Sequence, residues 1–198
     1  MTKPLTLFAA SILMVGIQGC ANTIKYGEAT RTEAIKTEVG INELQAATDK
    51  LVSKMLTFPS VETLTKSERL TVAIDTISNH TQENLDTGIM TANLYEQLTA
   101  SGKFRLSDPE KVRQGREDAA SLLDYGATTD KAAQKIAGAT SADLVLYGSL
   151  VDIIRIKPTN KEVYYRLSLH LLDAGSGKEV WSDEHEILKS QRKSIYGI

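Results

Sequence analysis

The side chains that could carry out acid–base, nucleophilic or metal chemistry are few and lie far apart in the sequence. The chain has three histidines, His80, His170 and His185, and one cysteine, Cys20. No histidine has a cysteine or a second histidine near it in sequence. The spacing therefore predicts no metal site and no nucleophile paired with a base.

Carboxylates crowd the last predicted strand, at Asp183, Glu184 and Glu186. They are interpreted as a solvated strand face. The alternative is an acid–base pair formed with a carboxylate elsewhere in the fold. Together with the scattered histidines, this pattern predicts a protein that is not an enzyme and binds no cofactor.

The first twenty residues are typical of a secretory signal peptide. Lys3 is their only charge, and residues 5–17 form an apolar run that is too short to span a bilayer comfortably. The run ends at Ile17-Gln18-Gly19-Cys20, which resembles the lipobox of bacterial lipoproteins. The alternative is a chance cysteine beside an ordinary cleavage site.

The lipobox resemblance implies that residues 1–19 are removed and that Cys20 becomes the lipid attachment site. Several acyl chains at one residue give stable membrane anchoring. Ala21 follows the cysteine, and by resemblance to enterobacterial sorting this implies the outer membrane, with the domain facing the periplasm.

Composition and length limit the classes of function and the number of domains that the chain can have. The 198 residues carry a formal net charge of −2 and no basic cluster, which argues against nucleic-acid binding because phosphate contacts need concentrated lysine and arginine. The length fits one domain, residues 41–198, behind a lipidated tether of residues 20–40.

Apolar periodicity predicts the elements of that domain. Residues 41–56 form an amphipathic helix, and residues 70–75 form a short strand that leads into a polar turn at residues 78–81. A helix then ends at Gly102, and residues 103–106 form a second short strand. Asp108 caps the next helix, and Thr129 caps another that Gly138 closes.

The last third of the chain predicts a hairpin and a further strand. Residues 144–154 are apolar on both faces, as in a central strand, and residues 163–173 alternate, which places Tyr164, Arg166, Ser168 and His170 outward. If Asp173 lies opposite Lys178, then His170 lies opposite Trp181 and His185 opposite Arg166. Trp181 is interpreted as core, with a partner anchor as the alternative. The predicted fold is one α+β domain with a mostly antiparallel sheet of four to five strands, flanked by helices.

The order of these elements and several sequence stretches resemble the LpoB family. The matching stretches are residues 51–56, residues 75–81, Gly102-Lys103-Phe104, Val145-Leu146-Tyr147 and residues 167–181. The resemblance implies a non-enzymatic outer-membrane lipoprotein. Such a protein would dock on a bifunctional class A penicillin-binding protein and stimulate peptidoglycan synthesis.

Exposed loops on a rigid sheet often carry binding residues. The predicted partner surface therefore combines the polar turn with the hairpin, and comprises Asn79, His80, Thr81, Gln82, Arg166, His170 and Lys178.

The tether lacks proline and is short, with a full stretch of at most ~70 Å. The short reach supports an alternative function, a structural lipoprotein of a flagellar or secretion-type envelope assembly.

Overall fold

The computed structural model of the chain describes residues 39–158 and 160–192, without the side chain of Arg192. The predicted signal peptide, Cys20 and nearly all of the predicted tether lie outside these residues. The described part belongs to one compact unit, Ala34–Ile198. Among residues 39–158 and 160–192, no helix is both long enough and apolar enough to cross a membrane.

Helices and strands are mixed in the first part of the described residues, and three consecutive strands complete the domain. In chain order they are α1 (Ile41–Leu56), α2 (Pro59–Ser67), β1 (Thr71–His80), α3 (Gly88–Ser101), β2 (Arg105–Leu106), α4 (Pro109–Asp124), α5 (Thr129–Thr140), β3 (Leu144–Ile156), β4 (Asn160–Asp173) and β5 (Glu179–Arg192).

The five strands form one mixed sheet in the order β2-β1-β3-β4-β5. β1 runs parallel to both β2 and β3, whereas β3, β4 and β5 are antiparallel neighbours. The predicted single α+β domain is confirmed, but the sheet is mixed where the sequence predicted a mostly antiparallel one. Three helices lie between β1 and β3, so the chain crosses over and re-enters the sheet in the same direction.

One face of the sheet packs on α1, α2 and α3 and holds the larger core. The inward side chains of β4 belong to this core, and so does Trp181, which is 4% exposed. The interpretation of Trp181 as core is therefore confirmed. The alternation predicted for residues 163–171 is also confirmed, since its odd-numbered positions are all buried.

The other face is covered only in part. α4 and α5 pack against β1 and β3 through a second, smaller core. Beside them, the outward side chains of β4 and β5 stay accessible to solvent. We call this surface the open face; in β4 and β5 it comprises Tyr164, Arg166, Ser168, His170, Ser182, Glu184, Glu186 and Leu188.

Several element boundaries differ from those predicted. β1 continues through His80, which pairs with Val151, so Ser78-Asn79-His80 is strand and not turn. α2 was not predicted. The N-cap of α5 is Thr128, one residue before the predicted cap, and Gly138 lies inside that helix, which ends at Ser141 with a φ of 52°.

The hairpin register also differs by one residue. His170 lies opposite Ser182, and His185 lies opposite Leu167. The cause is an irregularity between Leu171 and Leu172, which places an extra residue in one strand of the pair. The predicted pairings of His170 with Trp181 and of His185 with Arg166 are therefore wrong.

Candidate docking site on the open face

A concave pocket of about 510 Å³ lies where the open face meets the α4–α5 layer. β1 contributes Ser78 and His80, β3 contributes Tyr147 to Ser149, and β4 contributes His170. The rim is completed by side chains from α4, α5 and β5, namely Leu123, Thr129, Asp130 and Glu179. The hydrogen-bonded strands β1, β3 and β4 supply the floor of the pocket.

Two aromatic rings form one wall of this pocket. Tyr147 and His170 are direct partners in the β3–β4 pairing, and their rings stack with centroids 5.1 Å apart and an interplanar angle of 13°. Each ring is held at its polar end. The Tyr147 hydroxyl donates to Asp130 Oδ1 at 2.6 Å, and His170 Nδ1 lies 2.6 Å from Glu179 Oε2.

The two carboxylates give the pocket a negative rim. Burial raises the pKa of Tyr147, and the hydrogen bond to Asp130 raises it further, so the phenol stays protonated and keeps its bond. Glu179 also accepts from the Ser182 hydroxyl at 2.5 Å. The site offers aromatic surface and hydrogen-bond acceptors, which suits a partner's cationic or donor side chain.

The structure brings together two of the residues predicted to bind a partner. His80 and His170 come from different strands and line the same pocket. Asn79 and Thr81 have local roles. The Asn79 amide donates to the carbonyls of Glu83 and Leu85 at 2.9 and 3.1 Å, and its Oδ1 accepts from Thr81, which orders the loop after β1.

The remaining predicted residues lie around the pocket. Arg166 is on the open face, where it pairs with Glu186 at 2.6 Å and with Glu184 at 3.5 Å. The backbone N–H of Gln82 donates to Asp152 Oδ1 at 3.2 Å. Lys178 is exposed in the β4–β5 turn.

Sequence reasoning missed Tyr147, Asp130 and Glu179 as site residues. Tyr147 is only 7% exposed and sits in an apolar strand, so it was included among core residues. A signal was present, since a buried tyrosine hydroxyl needs a polar partner. Which partner it finds depends on the packing of α5 on β3, and that packing is not visible in the sequence.

Two other features lie away from this site. His185 is on the helix-covered face, where burial, together with Lys50 and Lys54, lowers the pKa of its ring. A second cavity of about 640 Å³ lies between α1 and α3. Polar side chains that line it already form hydrogen bonds with one another, since Asp49 Oδ1 accepts from the side-chain amides of Asn93 and Gln97. Within residues 39–158 and 160–192, no group of three or more potential ligands could hold a metal ion.

The family model described as peptidoglycan-synthase activator LpoB matches residues 43–187, which is most of the chain. The chain belongs to the LpoB family. The match includes every element that builds the pocket, from β1 to the first half of β5. None of the curated proteins matches the chain.

Solved LpoB structures share this fold. The LpoB C-terminal domain from Salmonella enterica is 22% identical with a TM-score of 0.51, and the match covers 73% of this chain and 98% of that one. The corresponding Escherichia coli domain is 23% identical, with the same TM-score and coverage. The NMR structure of E. coli LpoB is 18% identical with a TM-score of 0.51, covering 97% of this chain and 88% of that one.

Proposed function

We propose that the chain is a non-enzymatic activator that binds a class A penicillin-binding protein and raises its rate of peptidoglycan synthesis. The single observation that carries this proposal is the family match over residues 43–187, since the family is one of peptidoglycan-synthase activators. The pocket agrees with a binding role. It gathers aromatic and carboxylate groups in one concave surface.

The pocket on the open face is the proposed docking site for the synthase. Paired strands form its floor, and its rim carries exposed apolar surface at Leu123, which is 46% exposed. Interfaces commonly centre on such an aromatic and apolar cluster surrounded by polar groups. Asp130 and Glu179 add negative charge, so the complementary surface of the synthase should present lysine or arginine side chains.

The proposed location is the periplasmic side of the outer membrane. Residues 1–19 would be the signal peptide, Cys20 the lipid attachment site, residues 20–40 the tether and residues 41–198 the LpoB-like domain. The support is the lipobox-like sequence ahead of Cys20.

A structural role in an envelope assembly is the second candidate. The observation that favours it is the short tether, which limits how far the domain can extend from the anchor. A domain held close to the outer membrane needs a partner that extends across the periplasm toward it. An envelope assembly meets this requirement, and so does a synthase with a long periplasmic part.

A pull-down from detergent-solubilised envelopes tests the two candidates against each other. The bait is the mature chain, and the matched comparison is the same chain carrying His170→Ala in the pocket. Recovery of a class A penicillin-binding protein by the wild type, with clearly less recovered by His170→Ala, supports the activator and its site. Recovery of flagellar or secretion components alone would overturn the activator proposal.

A further inference from the structure

Exposed apolar side chains form a row across the end of the open face that lies away from the pocket. Ile153, Tyr164 and Leu188 are direct cross-strand neighbours on β3, β4 and β5. Ile153 is 43% exposed and Leu188 is 55% exposed. Ile156, at the end of β3 and on the other face of the sheet, is 72% exposed. Contiguous apolar surface of this kind marks an interaction site.

Basic residues lie beside this row. Residues 155–161, from the end of β3 to the start of β4, include Arg155, Lys157 and Lys161 and no acidic residue, and Glu162 follows them. Arg155 shares the face of Ile153, whereas Lys161, opposite Ile156, lies on the other face. The Arg155 guanidinium lies 4.8 Å from the centroid of the Tyr164 ring, directly over the apolar row. Lys157 contacts Glu162 at 2.7 Å, yet its side chain is still 53% exposed. Basic and apolar side chains side by side favour an anionic lipid surface.

The chain enters the domain at this same end of the sheet. The backbone N–H of Val39 donates to the Tyr165 hydroxyl, and Glu43 in the first turn of α1 binds Lys189 at 2.6 Å. Tyr165 and Lys189 directly follow Tyr164 and Leu188 in their strands and face the helix-covered side of the same end of the sheet. Only residues 21–38 separate Cys20 from Val39, and they stretch to at most ~65 Å.

We propose that the turn end of the β3–β4 hairpin docks on an anionic phospholipid surface, namely the surface of the membrane that holds the lipid anchor. We call it the hairpin tip; it comprises Ile153, Arg155, Ile156, Lys157, Lys161, Tyr164 and Leu188. This inference rests on the lipid anchoring proposed above. Tyr164 and His170 are six positions apart in β4, a distance of ~20 Å, so the pocket stays free for a protein partner.

The test places a fluorophore at the tip of the acylated chain, purified from the membranes of cells that make it. Cys20 is the only cysteine and would be acylated, so Pro158→Cys supplies one free thiol for an environment-sensitive label. The matched control is Ser176→Cys in the β4–β5 turn. Ser176 is exposed and lies at the opposite end of β4 from residue 158. Each protein is mixed with vesicles of phosphatidylglycerol and phosphatidylcholine, and with vesicles of phosphatidylcholine alone.

The label at residue 158 should shift its emission to the blue on vesicles that contain phosphatidylglycerol, whereas the label at residue 176 should emit as in water. High salt or the double substitution Lys157→Glu/Lys161→Glu should remove most of the shift, because both weaken attraction to anionic headgroups. A residue 158 label that emits as in water on both vesicles would overturn the tip proposal. So would a label that becomes buried only when the synthase is added.

Flotation of the same vesicles separates the tip from the anchor. A chain that floats with both compositions but shows no shift keeps the anchor and overturns the tip. A chain that floats only with phosphatidylglycerol, and shifts there, overturns the anchor and supports the tip. A chain that floats with neither composition overturns both.

Discussion

At the scale of single residues, the pocket depends on polar atoms that hold aromatic rings in place. The Tyr147 hydroxyl is tied to Asp130 and the His170 ring to Glu179, so neither ring is free to turn away from its stacked partner. A binding surface fixed in this way loses little side-chain entropy when a partner docks.

Replacing Tyr147 with phenylalanine tests the hydroxyl alone, because the ring and its packing are kept. We expect Tyr147→Phe to lower the free energy of unfolding by about 1 kcal/mol, the usual net worth of one hydrogen bond. Urea unfolding followed by circular dichroism measures the change. Tyr125→Phe is the matched control, since Tyr125 is 91% exposed. Equal unfolding curves for Tyr147→Phe and the wild type would contradict the anchoring role.

At the scale of elements, two glycines in neighbouring helices have opposite surroundings. A Cβ added at Gly115 in α4 would lie 3.0 Å from the Ala139 Cβ and 3.1 Å from the Ile136 Cα, whereas a Cβ at Gly138 in α5 would meet nothing within 4 Å. The close approach of α4 and α5 therefore requires a glycine at residue 115 and not at residue 138.

Alanine at each position should change stability in opposite directions. Gly115→Ala should lower the free energy of unfolding by about 1–3 kcal/mol through overpacking, and Gly138→Ala should raise it by about 0.5–1 kcal/mol through helix propensity. Thermal unfolding of the two variants beside the wild type measures both. A stabilised Gly115→Ala protein would mean that α4 and α5 pack less tightly than described.

Two ion pairs fasten α1 to β5, Lys54 with Asp183 and Lys189 with Glu43, each at 2.6 Å. The hydrogen bond from Lys54 lowers the pKa of Asp183 against the opposing effect of burial. Such a carboxylate stabilises the fold above its unfolded pKa of about 3.9, and the stabilisation is lost as pH falls through the lower folded pKa.

Asp183→Asn should therefore be less stable than the wild type by about 0.5–1 kcal/mol at neutral pH, since the pair is partly exposed. The gap should close as pH falls below about 4. Urea titrations of both proteins across this range measure it. A gap that persists unchanged at the lowest pH would exclude the carboxylate charge as its cause.

Strong local patterns predicted some elements well. The alternation in β4 predicted the β4–β5 hairpin, and the apolar run of β3 predicted a central strand. Asp108 predicted the cap of α4, where its side chain accepts from the Glu110 N–H at 2.9 Å. The end of β1 was missed because Ser78 and His80 are polar. They belong to a strand nonetheless, since they face the open side of the sheet.

The pairing of strands that are distant in the sequence could not be predicted from local patterns. The parallel pairing of β1 with β3, which makes the sheet mixed, joins strands more than sixty residues apart. That pairing also brings His80 to the pocket that holds His170. The sequence predicted the two histidines as members of one surface. The pocket itself, with Tyr147 and Asp130, follows only from the packing of α5 on β3.

At the scale of the whole molecule, the open face has two ends with different chemistry. The pocket end carries aromatic rings and carboxylates, and the hairpin tip carries apolar side chains and positive charge. The chain enters beside the tip. A membrane at the tip and a synthase at the pocket would therefore be bound at opposite ends of one sheet.

In the function proposed above, this chain activates a class A penicillin-binding protein through the pocket. The most direct measurement is the rate of glycan polymerisation by the purified synthase as the mature chain is titrated. The test variant is His80→Ala/Leu123→Ser, which removes two accessible pocket side chains. The matched control is Glu96→Ala, which alters the exposed α1–α3 cavity on the far side of the sheet.

We predict that the wild type and Glu96→Ala raise the polymerisation rate equally. The pocket variant should need about tenfold more protein for the same rate, as expected when two moderate interface contacts are lost. A synthase whose rate does not change with saturating wild-type chain would contradict the activator function, and a pocket variant that matches the wild type would contradict the site.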